Sequence, residues 1–181
     1  MHRGNMKCLV LYESMFGHTE AVARAVAAGM SSALPGGSLV EIADVSARPL
    51  PRGVGLLVTG APTHAFGMSR PATRADAARQ GTVRPGAVEA GLREWLDGLA
   101  GLDDVAVAAF DTRVAGALFT GSAARKALRS LHRLGGEPVL AAEGFLVSGT
   151  RGPLVPGELD RAREWGARLA RAASASSAAA A

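Results

Sequence analysis

The chain has 181 residues, 48% apolar and 20% charged, with a formal net charge of +4. That length suits one domain around a single core, and the composition excludes a disordered chain. No apolar run approaches the roughly 20 residues of a membrane span, and the start, MHRGNMK, lacks the apolar core of a signal peptide. One cysteine, Cys8, allows no internal disulfide, so a cytoplasmic location is expected. The positive charge is nearly all arginine, and aromatics make up 4%; with no recognition motif beside it, nucleic acid is not an expected partner. Four scattered histidines and a strand-borne cysteine give no basis for a metal site or a nucleophile.

Apolar runs alternate with helical patterns along the chain. Cys8 to Tyr12 (CLVLY) is nearly continuous, as a strand buried on both faces requires. Thr19 to Met30 follows as a helix, with Val22, Val26 and Met30 on one face. Leu39 to Ile42 is a weaker second strand, and Leu56 to Thr59 a third, running into Gly60-Ala61-Pro62. Leu92, Trp95, Leu96 and Leu99 mark a helix over 90–99, and Val105 to Phe110 a fourth strand. A helix over 122–134 is capped by Ser122 and closed by Gly135-Gly136. Glu137 to Ser148 holds the fifth strand, with a break expected near Glu143-Gly144. A last helix runs over 158–171, entered through Pro156-Gly157. Residues 6–171 form the expected domain, and 172–181 a low-complexity tail expected to be frayed or disordered. This alternation predicts a parallel sheet with helices on both faces.

In such a sheet ligands bind beyond the carboxyl ends of the strands. The turn after the first strand reads Glu13-Ser14-Met15-Phe16-Gly17-His18-Thr19 and leads straight into a helix, whose first amides form an anion site. Ser14 and Thr19 add hydroxyls, and Gly17 lets the chain curl closely. The turn is neither G-x-x-x-x-G-K-[ST] nor G-x-G-x-x-G, which argues against triphosphate and dinucleotide sites. It contains no lysine or arginine, so neutral dipoles and hydroxyls are expected to hold a single terminal phosphate. On the turn alone, helix capping by Ser14 or Thr19 remains an equal reading.

The segment LVLYESMFGHTEAVARAV resembles the phosphate-loop signature of the flavodoxin family. Its S-M-F-G-H portion is similar to the tryptophan-repressor-binding-protein-like NAD(P)H:quinone reductases, which share that fold. The resemblance implies a flavodoxin-like three-layer α/β/α sandwich, its five-stranded parallel sheet in the order 2-1-3-4-5. It also implies FMN as cofactor, with Ser14, Met15, Phe16, Gly17, His18 and Thr19 around the phosphate. The turn Pro62-Thr63-His64-Ala65-Phe66-Gly67 resembles the family's G-x-P-T turn against the flavin ring, with Phe66 as the stacking candidate. Asp111, Thr112 and Arg113 stand where the family has its second ring loop. There the chain departs from the pattern: its only tyrosine is Tyr12, and Phe119 is the other candidate to cover the ring. Arg113 beside the ring would favour the reduced, anionic flavin.

The function so implied is FMN-based electron transfer with a redox partner protein. An NAD(P)H-dependent quinone reductase, or a flavodoxin-fold protein without tight flavin binding, are the alternatives. Between Phe66 and Val88 some 20 residues show no clear element. They hold Arg70, Arg74, Arg79 and Arg84 against Asp76, and read either as a solvated loop or as a docking surface for an acidic partner or a nicotinamide nucleotide's phosphates.

Overall fold

The computed structural model describes residues 5–65, 67–117 and 121–179. Strands β1 (Lys7–Tyr12), β2 (Leu39–Asp44), β3 (Leu56–Pro62) and β4 (Ala106–Val114) lie parallel, with two edge strands beyond β4, β5 (Glu137–Pro138) and β6 (Glu143–Val147). The order is β2-β1-β3-β4-β5, as expected, and β6 takes the rest of the β4 edge. The fifth strand is thus one path broken in two. Val139 to Ala142 pass opposite only Ala108 and Ala109, so the edge bulges before pairing resumes at Phe110↔Glu143.

Strand β1 shows how the core divides. Cys8, Val10 and Tyr12 point into one apolar cluster, formed with α1 (His18–Ala33) and α5 (Glu158–Ala179). Leu9 and Leu11 point into the other, formed with α3 (Leu92–Asp97) and α4 (Ala123–Arg133). Phe110, Phe145 and Trp165 meet edge to face at 6.0–6.1 Å between centroids in the first cluster. Gly60 is explained there: a Cβ on it would stand 2.0 Å from Phe110 Cζ, so the glycine makes room for the ring. Burial pushes the Cys8 thiol up to about 11, which keeps it inert.

Three segments differ from their predicted form. The long connection contains a helix, α2 (Pro71–Gln80), whose only signs are Pro71 at the first position and the Thr73 hydroxyl, which accepts from the Arg70 amide at 2.9 Å. It shows no apolar stripe because Arg74 and Ala77 are its buried residues. Strand β4 runs on through Asp111, Thr112 and Arg113, which therefore belong to a strand and not to a loop. Helix α5 continues past Arg171 to Ala179, consistent with the high helix propensity of alanine. Between β2 and β3 the crossover holds only a short 3-10 turn, Val45–Ala47.

Candidate functional site

A cavity of about 310 Å³ opens at the carboxyl ends of β1, β3 and β4, within the size range of small-molecule sites. Ser14, Met15, Phe16, His18 and Thr19 form one wall, Pro62 to Ala65 a second, and Thr112 to Val114 a third. Helix α2 closes the space with Thr73, Asp76, Ala77 and Gln80, and Val147 and Thr150 complete it. Gly17, Gly67 and Asp111 are not among its walls, while Phe66 and Phe119 lie outside the described residues.

The first wall has the makings of an anion cradle. Gly17 sits at φ 96°, a left-handed conformation that favours glycine, and turns the chain from β1 into α1. The Ser14 hydroxyl accepts from the Gly17 amide at 3.0 Å, which leaves its own proton free to donate. The amides of Met15, Phe16, His18 and Thr19 have no acceptor among the described residues. Thr19 and Thr112 join α1 to β4 by a 2.8 Å bond between hydroxyls, one of which keeps a spare proton. His18 Nε2 bonds the Arg151 carbonyl at 2.8 Å and ties the loop after β6 to the start of α1.

The second wall is fixed from below. The Thr63 amide donates to the Thr112 carbonyl at 2.9 Å, and its hydroxyl donates to Asp111 Oδ2 at 3.1 Å while accepting from the Ala123 amide at 3.0 Å. Asp111 Oδ2 also accepts from Ser122 Oγ and the Ala124 amide, at 2.6 and 3.1 Å. Strand alternation explains this: Thr112 faces α1 and the cavity, whereas Asp111 turns to the opposite face and anchors the start of α4. His64 and Gly67 exchange two backbone bonds of 2.8 and 2.9 Å around Ala65, which adopts φ 34°. Burial, aided by the Arg74 charge, holds the His64 imidazole below its ordinary value.

Nothing in the residue pattern signals the polar cluster beneath these walls. Glu13 is buried and accepts from the Leu92 amide at 2.8 Å, while its Oε1 has no partner among the described residues. Burial raises its carboxyl above the ordinary value, against the opposing pull of Ser69, the Leu92 amide and Arg74. Arg74, 1% exposed, donates to Ser69 Oγ, the Val88 carbonyl and Glu94 at 2.9, 3.1 and 3.2 Å. Arg79 pairs with Asp76 and Arg84 with Glu20. Of the four arginines of the long connection, Arg74 is thus buried, Arg79 and Arg84 are paired with carboxylates, and Arg70 is exposed. The guanidinium of Arg113 lies over Gly144, where a Cβ would stand 2.6 Å from Nη2.

No helix among the described residues is long and apolar enough to cross a membrane, and no group of metal-binding side chains occurs among them. No family model and no curated protein sequence matches the chain. Solved structures do match it in fold. Oxidised Flavodoxin 1 from Bacillus cereus is 16% identical with a TM-score of 0.64, over 91% of this chain and 97% of that one. A flavodoxin from the domain Archaea is 16% identical with a TM-score of 0.63, over 93% and 99%. A WrbA-like flavodoxin protein from Agrobacterium tumefaciens is 19% identical with a TM-score of 0.58, over 93% and 98%.

Proposed function

From a chain of flavodoxin-like fold, we propose a protein that binds FMN in the cavity at the carboxyl end of its sheet and transfers electrons through it. One observation carries this reading: the amides of Met15, Phe16, His18 and Thr19, which have no acceptor among the described residues, and the hydroxyls of Ser14, Thr19 and Thr112 belong to residues that line one cavity. That donor set is neutral and rich in N–H and O–H groups, as a terminal phosphate requires. Bound FMN would supply the redox chemistry, for which no side chain here need act as acid, base or nucleophile. The chain's own part is to hold the phosphate with residues 14–19, to bound the ring with residues 62–67 and 112–113, and to set its electrostatic surroundings.

A carrier is favoured over a quinone reductase because Arg74, one of the four arginines of the long connection proposed to meet nucleotide phosphates, is buried against Ser69, Val88 and Glu94. The protein as purified is expected to be yellow, or to take up FMN with quenching of its fluorescence. A colourless protein with no flavin uptake on titration would overturn the reading. Rapid NADPH oxidation coupled to a quinone would replace the carrier with the reductase.

A further inference from the structure

The turn Ser14 to Thr19 holds no cation of its own, but another part of the chain places one beside it. After α2 the backbone folds back, and the Arg84 amide donates to the Met15 carbonyl at 2.9 Å. Met15 and Phe16 pack against Ala77, Val83 and Ala87, which seats this segment on the turn. So anchored, Arg84 reaches Glu20 Oε2 through Nη1, and that same Nη1 lies 3.9 Å from where a Cβ on Gly17 would stand. Glu20 is the third residue of α1 and is buried; its Oε1 accepts from Arg24 Nε and Nη2 at 3.0 and 2.7 Å.

A carboxylate in the first turn of a helix suits the dipole but repels a second anion arriving at the same end. Two arginines on one carboxylate reverse that sign and leave the group with one net positive charge. Arg84 Nε is buried with no partner among the described residues, so the guanidinium keeps donors that Glu20 does not use.

We propose that Arg84, which stands beside the Gly17 edge of the turn and behind the residues that line the cavity, makes this site selective for ligand charge: through space, it favours a phosphomonoester dianion over the same ligand without its phosphate. This rests on the flavin reading and names the residue that separates FMN from riboflavin. A purely structural clamp would move affinity for both flavins together; a charge selector moves one.

The experiment compares FMN and riboflavin binding, by fluorescence quenching at two salt concentrations, in the wild type, Arg84→Gln, Arg84→Lys, Glu20→Gln and the Arg84→Gln/Glu20→Gln pair. Arg84→Gln is expected to weaken FMN about tenfold, or about 1.4 kcal/mol, with riboflavin within about twofold and a shallower salt dependence for FMN. Arg84→Lys recovers part of the loss, and Glu20→Gln tightens FMN in both backgrounds. Equal loss of both flavins in Arg84→Gln, or no loss of either, overturns the proposal. If the wild type binds neither flavin, the flavin reading fails separately. Arg84 is then judged by inorganic phosphate: stabilisation against heat that vanishes in Arg84→Gln supports the charge role, and stabilisation that persists, or is absent from the wild type, overturns it.

Discussion

Thr19, in the first turn of α1, and Thr112, in β4, share a 2.8 Å hydrogen bond between buried hydroxyls and so tie the first wall of the cavity to the third. Replacing one by valine leaves the other hydroxyl buried without this partner, whereas replacing both removes the need for one. Thr19→Val and Thr112→Val are each expected to cost about 1–2 kcal/mol of stability, and the double variant less than their sum. Urea denaturation of the four proteins reads this directly; strict additivity would mean that the hydroxyls do not depend on each other.

Helices α1 and α5 cross at two glycines. A Cβ on Gly29 would stand 1.9 Å from the Arg163 carbonyl oxygen, and one on Gly166 would stand 2.1 Å from that of Val26. Helix propensity alone favours alanine over glycine by about 1 kcal/mol, but backbone atoms at these distances cannot move aside as a flexible side chain could. Gly29→Ala and Gly166→Ala are therefore expected to destabilise by about 2–3 kcal/mol, seen as a lower denaturation midpoint. A stabilised variant would show that the helices separate without cost.

Much of the cavity's first wall was legible because its determinants are local. The apolar run Cys8 to Tyr12, Gly17 at a positive φ and the helix it opens lie within one stretch of sequence. The wall built by α2 was not legible, since its inward face is made by Arg74 and Ala77, and an arginine in a polar stretch reads as surface. Arg74 is buried only because Ser69, Val88 and Glu94 converge on it from separate segments. The placement of Asp111 depended on knowing that β4 continues past Phe110. Once the strand extends, alternation alone sends Asp111 away from the cavity and Thr112 towards it.

Glu13 links stability to pH. Its carboxyl is raised by burial, so the folded chain holds this proton above pH 4.5, where the unfolded chain has begun to release it. The stabilising contribution is fully present below the unfolded value and is lost as pH rises through the folded one. Glu13→Gln keeps an oxygen for the Leu92 amide and cannot ionise. Its stability relative to the wild type is expected to increase as pH rises from 4.5 towards neutrality, in denaturation curves taken across that range. A constant difference would show that Glu13 ionises as freely in the folded chain as in the unfolded one.

His64 acts with the opposite sign in a higher window. Burial and the Arg74 charge lower its value below 6.5, so on acidification the unfolded chain takes up the proton first. The contribution is present above 6.5 and is lost as pH falls through the folded value. His64→Gln is expected to flatten this part of the stability profile; an unchanged slope below neutrality would place the effect elsewhere.

Arg113 lines the cavity, and its guanidinium rests over Gly144, with no carboxylate in a salt bridge to it among the described residues. An unneutralised positive charge there stabilises negative charge gained on reduction. In the FMN-loaded protein, Arg113→Gln is expected to lower the midpoint potential and Arg113→Lys to keep most of it, both read by redox titration against dyes. Because the effect is Coulombic, the gap between wild type and Arg113→Gln should narrow as salt is raised, to the extent that the guanidinium is exposed. Equal potentials in all three proteins would show that the charge is screened from the ring, and the cavity's tuning would then fall to the peptide groups of Pro62 to Ala65.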